Sequence, residues 1–328
     1  MTGARKNTAA AGYVLCSCVF GVILMRLIVN VLPLRTDTYV GDILSTVAFS
    51  VPVQLLFFLA VPFCIYKFYG GRSVRETLKY SSVGKFSPYF LLAIPIGVAV
   101  YFLTVVVSSA WSGMLRFTGY TAPTGSPDKP AVFNGGLFAL EVIVTAVLPA
   151  VCEEFCMRGG LLTEAKNRFD KLTLIFIFGV MFGLFHQNVR QVFYTALFGA
   201  FAAYIVLETE SLYPAMLVHF TNNFLSVYLD YASDYGFFGG GLFETLGRLP
   251  PWITLVLFFA AGLAIAAFVL LMLYCRDGKK HSRKSSASGV PLVNADGGVG
   301  VCDYALIIAM GVVTALTTLS TYAWGFYY

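Results

Sequence analysis

Six side chains of the kinds that carry out hydrolysis stand inside long apolar runs of this sequence. Glu153, Glu154 and Arg158 lie about midway along ALEVIVTAVLPAVCEEFCMRGGLLTEAKNRF; His186 ends LTLIFIFGVMFGLFHQ; His219 and Asn223 lie in LYPAMLVHFTNNF. An ionisable group in a membrane span costs about 2.5–3.5 kcal/mol on insertion scales, so each such residue is a functional candidate by default. Spacing sharpens the case. Glu154 and Arg158 are four apart, share a helix face and can pair. Glu153 is turned about 100° away, which leaves one carboxylate neutralised and the other free for chemistry. His219 and Asn223 are also four apart and can face one cavity, whereas Asn222 is expected to point elsewhere. The chain has three histidines, and the third, His281, falls in a basic segment where solvation accounts for it.

The elements that must position these groups are apolar helices. Spanning a bilayer takes about 20 apolar residues. Nine runs qualify: 13–34, 43–66, 89–111, 137–166, 172–190, 191–209, 211–230, 251–274 and 303–325. The expected fold is therefore all-α, a polytopic transmembrane helical bundle of about 8–9 spans. The turn between the fourth and fifth runs lies near Asp170, about as far from Glu153 as from His186. Two antiparallel helices rising about 1.5 Å per residue then carry both residues at the same depth. His219 fits less well, being only eight residues past Ser211, so tilt or a broken helix is needed to bring it level.

Composition supports a membrane protein. Hydrophobic residues make up 58% of the 328 and charged residues 12%, against about 25% charged in soluble domains. Positive charge sets an orientation. With a cytoplasmic N-terminus, fifteen Lys and Arg lie in inside segments and five outside, which fits the positive-inside rule. The first run is too long for a signal-peptide core and is read as a retained span. Arg26 lies within it and is read as snorkelling or paired, with no functional role. The seven cysteines show no Cys-x-x-Cys spacing and imply no disulfide framework. The organisation expected is N-terminal helices over 1–136, a catalytic helical core over 137–230, an eighth span within 231–275, a basic flexible linker over 276–302 and a last span over 303–328. Nothing in the charge pattern calls for nucleic acid; the expected partners are the lipid bilayer and a membrane peptide or lipidated protein.

At these residues the chain resembles the CPBP intramembrane proteases, the group that includes the type II CAAX prenyl endopeptidases and bacterial relatives tied to bacteriocin self-immunity. Glu-Glu-x-x-x-Arg is met by Glu153, Glu154 and Arg158, followed by Gly159; Phe-x-x-x-His by Phe182 and His186; His-x-x-x-Asn by His219 and Asn223. The ordered set covers about residues 137–230. The ninth run departs from the commoner family layout. The resemblance implies peptide-bond hydrolysis within the membrane, on prenylated or other membrane peptides, and a multi-pass protein of a bacterial plasma membrane. Amide hydrolysis needs an activated water, an oxyanion stabiliser and a proton for the leaving amine. Glu153 and His186 would hold the water, His219 and Asn223 would stabilise the oxyanion, and Glu154 with Arg158 would orient the helix and tune Glu153. No cofactor is favoured. A zinc protease with Glu153, His186 and His219 as ligands is the second reading, since three N/O ligands and water suit catalytic zinc; the His-Glu-x-x-His signature is absent. A non-enzymatic scaffold or immunity protein, and a proton-coupled transporter using a Glu/His relay, are readings of another class.

The orientation is testable on single-cysteine variants in intact cells. A cysteine at Ser126 is expected to react with a membrane-impermeant maleimide and one at Ser286 to stay protected. Labelling at Ser286 overturns the orientation.

Overall fold

The computed structural model describes residues 3–34, 37–70, 89–121, 127–166, 168–241, 245, 248–281 and 304–325. The basic residues Arg72, Arg75, Lys79, Lys85, Arg283 and Lys284, and most of the segment read as a linker, lie outside them. No strand occurs among the described residues. Among the described residues nine helices lie along the nine apolar runs: α1 Gly3–Val31, α2 Tyr39–Tyr69, α3 Tyr89–Phe117, α4 Gly135–Ala165, α5 Lys171–Phe185, α6 Val192–Thr209, α7 Leu212–Tyr235, α8 Pro251–His281 and α9 Ala305–Trp324. Seven are long and apolar enough to cross a membrane on their own. The two others are α5, only 15 residues long, and α7, which carries His219, Asn222, Asn223, Asp230 and Asp234 in its sequence. His186 caps the first of these and His219 lies in the second. The protein is an integral multi-pass helical bundle.

Local sequence sets the boundaries. Thr38 begins α2 by accepting from the Gly41 amide at 3.2 Å. Asn134 begins α4, its side-chain oxygen taking the amides of Gly136 and Leu137. Asp170 begins α5 by accepting from the Thr173 amide. Each supplies an acceptor to amides that a helix start leaves unpaired. Gly236, at φ +66°, ends α7 in the left-handed conformation that glycine adopts without penalty. Helix α8 runs on to His281, so residues 276–281, read from sequence as the start of the linker, continue the helix.

The core is where α1, α2, α4, α5, α6 and α7 meet, filled by Val14, Val19, Phe58, Met157, Phe178 and Val218 among others. Large apolar side chains such as Phe20, Phe117, Leu270 and Leu316 face outward, as a lipid-solvated surface requires. Helices α8 and α9 are peripheral, most of their described side chains facing outward; α8 packs on α3, and α9 on α1 and α5. Outside the spans, Lys129 bridges to Asp230 at 2.6 Å and Asp234 at 2.5 Å. Burial works against the Lys129 ammonium, but hydrogen bonds to the two aspartates outweigh it and raise its pKa.

Close packing of α5 on α6 depends on glycine. A methyl group at Gly183 would lie 2.5 Å from the Val192 carbonyl oxygen, and one at Gly199 would lie 2.5 Å from the Phe182 Cβ. Small residues at such crossings let helix backbones approach where lipid supplies no hydrophobic drive. Helix α4 departs from α geometry on both sides of its carboxylates: Ile143–Val147 and Phe155–Leu162 are π-helical, and so is Val53–Ala60 of α2. Such widened turns concentrate at functional sites.

Gly183→Ala and Gly199→Ala are expected to destabilise the detergent-purified protein by about 1–3 kcal/mol, the range for overpacking. Gly113→Ala and Gly311→Ala, where a methyl meets nothing within 4 Å, are expected to leave the thermal midpoint unchanged. Equal midpoints across both pairs would refute the tight-crossing account.

Candidate active site

The carboxylates of α4 behave as two different groups. Glu154 and Arg158 are fully buried and pair at 3.1 Å. The pair is not isolated. The same Glu154 oxygen accepts from His219 Nδ1 at 2.9 Å, and Arg158 Nη2 donates to the Gly199 carbonyl at 2.8 Å. The Phe182 ring lies 4.6 Å from the Arg158 guanidinium carbon. Arg158 thus joins α4, α5 and α6, and Glu154 fixes the ring of His219 on α7.

Glu153 faces the other way, as the 100° rotation requires. Its Oε1 accepts a 2.6 Å hydrogen bond from Gln54 Nε2 on α2. It lines two cavities, each of which also contains His186, Phe182, Phe49 and Gln191. Glu153 and His186, expected at equal depth, line the same two cavities. His186 Nδ1 lies 2.8 Å from the Phe182 carbonyl. A carbonyl only accepts, so this contact assigns the proton to Nδ1 and leaves Nε2 of the neutral ring as a lone pair. That bond explains why phenylalanine and histidine stand four apart: the Phe182 backbone orients His186, while its ring covers Arg158 and meets His219 edge-on at 5.9 Å.

The larger cavity, about 540 Å³, contains Glu153, His186, His219, Asn222 and Asn223. All six sequence candidates are therefore in this region, four of them lining one space and Glu154 with Arg158 buried behind it. His219 reaches the site despite its early position in α7. The π-helical stretch Phe155–Leu162 holds more residues per turn than an α-helix, so Glu154 lies closer to the α4 end than an α-helical count gives. Asn223 Nδ2 donates to the Thr145 carbonyl at 2.9 Å, leaving one amide hydrogen for a ligand.

Asn222 corrects the sequence reading. It lines the same cavity as Asn223 and donates to the Asn223 side-chain oxygen at 2.9 Å, while Thr104 Oγ1 of α3 lies 3.3 Å from its own oxygen. Adjacent helical residues point about 100° apart, yet both border a space as wide as this one. Arg26 is paired, but with backbone: among the described residues it meets no acid. Its Nη1 donates to the Gln187 carbonyl at 2.9 Å and its Nη2 to the His186 carbonyl at 2.7 Å.

The turn after His186 is held from several sides. Trp111 of α3 donates to the Val189 carbonyl at 2.6 Å, and the Val189 amide donates to Thr321 of α9 at 2.8 Å. Gln187 there has φ +46°, a costly conformation for this residue that the surrounding bonds enforce. Sequence reasoning missed Gln54, although a single polar residue in VPVQLLFFLAVPF is a legible signal. It also missed the role of Arg26, whose partners are backbone carbonyls 160 positions away. Cys18 and Cys156, both free, lie with their sulfurs 3.6 Å apart. No group of three His, Cys, Asp or Glu side chains among the described residues is arranged to hold a metal ion.

Residues 135–225 match the family described as Rce1-like, type II CAAX prenyl endopeptidase. The matched segment contains Glu153, Glu154, Arg158, Phe182, His186, His219 and Asn223. No curated protein and no solved structure matches the chain.

Breaking a buried ion pair by removing one partner costs about 3–5 kcal/mol. Arg158→Met is expected to lower the thermal midpoint sharply, and Glu154→Gln/Arg158→Met to recover part of it because the stranded charge is gone. A double variant less stable than Arg158→Met would refute the pairing as the source of the cost.

Proposed function

We propose that this chain, whose residues 135–225 match the Rce1-like family, is an intramembrane endopeptidase acting on prenylated or other membrane-embedded peptides through a water held by Glu153 and His186. The observation that carries the reading is the division of labour on α4. Glu154 is occupied by Arg158 and His219, whereas Glu153 faces the cavities with His186.

In this mechanism the water sits between the Glu153 carboxylate and the His186 Nε2 lone pair. Glu153 removes a proton as the water oxygen attacks the scissile carbonyl. The tetrahedral oxyanion takes hydrogen bonds from His219 and from the free Asn223 amide hydrogen. Glu154 holds the His219 ring at Nδ1, which leaves Nε2 to face the oxyanion. Collapse of the intermediate breaks the C–N bond, and the proton held by Glu153 passes to the leaving amine. The products are a new carboxylate on one fragment and a free amine on the other. Gln54 holds Glu153 in register, and Asn222 holds Asn223.

The metal-free form of this mechanism is the reading we favour over zinc. His186 and His219 each have an assigned partner at Nδ1 and an assigned task at Nε2, and no metal is needed to complete the chemistry. Activity is expected to survive exhaustive chelation. One zinc per chain, lost with activity and restored with it, would establish the zinc reading instead.

Glu153→Gln and His186→Ala are expected to abolish turnover of a fluorescence-quenched S-farnesyl peptide while the proteins remain folded in detergent. Asn223→Ala is expected to cost about 100- to 1,000-fold in rate, the range for one oxyanion donor. Asn222→Ala removes a supporting hydrogen bond worth about 1 kcal/mol, so a roughly fivefold loss is expected. Wild-type turnover by Glu153→Gln would refute the mechanism.

A further inference from the structure

The larger chamber is walled for something other than hydrocarbon. Fifteen of the 21 residues that line it carry a hydrogen-bonding side chain, whereas ligand pockets are lined mainly by hydrophobic side chains with a few placed polar groups. The mechanism gives tasks to Glu153, His186, His219, Asn222 and Asn223. The rest of the polar lining has none in it.

Some of those remaining groups are spent on the fold. Ser50 donates to the Val144 carbonyl at 2.9 Å, Thr104 to the Tyr101 carbonyl at 2.9 Å and Thr195 to the Gln191 carbonyl at 2.7 Å. Four others are not. The hydroxyls of Thr46 on α2, Tyr101 and Ser108 on α3, and Tyr194 on α6 make no hydrogen bond among the described residues. All four lie within spans, where a polar group without a partner is unfavourable. They reach one space of about 540 Å³ from three helices.

An uncoiled peptide supplies the missing partners. A helix in lipid satisfies its backbone internally, and a scissile carbonyl has to leave that pattern before water can attack it. The N–H and C=O groups freed on either side then have nothing to bond in hydrocarbon. A hydroxyl both donates and accepts, so it can meet either one. An isoprenoid chain offers no such group and would bury the four hydroxyls unpaired.

We infer that the larger chamber binds an unlipidated membrane peptide in extended form, through its main chain, and that Thr46, Tyr101, Ser108 and Tyr194 are the specificity-determining residues that hold it. The inference rests on the endopeptidase reading and selects between the two substrate classes that reading leaves open. These hydroxyls contact main chain away from the scissile bond and take no part in the proton transfers. They reward the extended state of the substrate, which is the state that can be cut.

The test uses the full chain in detergent and fluorescence-quenched peptides of one apolar sequence. One peptide carries an S-farnesyl cysteine at a single position and the other a leucine there. For the wild type, kcat/KM is expected to be at least about tenfold higher for the leucine peptide, because the farnesyl chain leaves hydroxyls unpaired. Equal turnover, or a preference for the farnesyl peptide, overturns the inference. Main-chain binding is tested on leucine peptides N-methylated at one amide at a time, away from the scissile bond. In the wild type at least one methylation is expected to cost about tenfold, since it removes a donor and leaves its acceptor unpaired. Tyr101→Phe/Ser108→Ala/Tyr194→Phe is expected to keep the wild-type thermal midpoint. Its kcat/KM on the unmethylated leucine peptide is expected to fall about 100-fold, three hydrogen bonds at roughly fivefold each. In that variant the methylation penalty is expected to shrink to about twofold, because the partner hydroxyl is gone. A penalty that stays at its wild-type size at every position overturns the inference, since a merely structural role of the hydroxyls would slow all peptides alike.

Binding in the Glu153→Gln background separates this from the parent reading. There the leucine peptide is expected to bind more tightly than the farnesyl peptide by fluorescence anisotropy, and the triple variant is expected to lose that advantage. This binding pattern without cleavage of either peptide by the wild type would sink the endopeptidase reading and leave the peptide site standing. Cleavage by the wild type with tighter binding of the farnesyl peptide would do the reverse.

Discussion

The centre of this bundle is organised by the buried contact of Glu154 with Arg158. A carboxylate and a guanidinium taken out of water each carry a large desolvation cost, and the pair survives there only if its remaining donors and acceptors are met. Here three other helices meet several of them, while Glu154 Oε2 and Arg158 Nε have no hydrogen-bond partner. His219 takes the same Glu154 oxygen, Gly199 offers its carbonyl to Arg158, and Phe182 lays its ring on the guanidinium. The requirement to satisfy one ion pair therefore fixes α4, α5, α6 and α7 against each other. It also ties His219 on α7 to the helix that carries Glu153. A buried charge pair is weak evidence for stability in itself; as a device that selects one arrangement of four helices it has a clear use.

The same constraint explains the departures from regular geometry. Arg158 reaches Gly199 because α6 comes close at a residue without a side chain, and Gly183 lets the two helices stay close toward the His186 end. The π-helical stretches on either side of Leu148–Glu154 set the two carboxylates at depths that a straight α-helix would not give. Gln187 is forced to a positive φ where the chain turns away after His186, and bonds from α1, α3 and α9 hold that turn. The peripheral ninth helix thus has a defined contact with the site through Thr321.

Much of this was legible in the sequence, and the boundary of legibility is physical. The helices could be read because nine runs of apolar residues have few other uses. Glu153 and His186 could be matched in depth because both are counted from one turn near Asp170. The Glu154–Arg158 pair could be read because i,i+4 proximity is a property of the local helix. Asn222 could not, because a helical wheel gives direction and says nothing of how wide the facing space is. Arg26 could not, because its partners are backbone carbonyls at the end of another helix, and a backbone carbonyl has no letter in the sequence. The π-helical turns left no local signal either. They answer to packing between α2 and α4, where Gln54 meets Glu153.

The two cations of the site show how one residue type serves opposite ends in lipid. Arg158 is fully buried with its charge matched, and its role is finished when the protein has folded. Arg26 is only partly buried and has no acidic partner among the described residues. Its charge stays available at the chamber wall. Arg26 gives two of its donors to the backbone carbonyls of Gln187 and His186 at the end of α5, and the neighbouring Glu153 is held by Gln54. The asymmetry between the two arginines thus follows from the same electrostatics that places Glu154 behind the site and Glu153 in it.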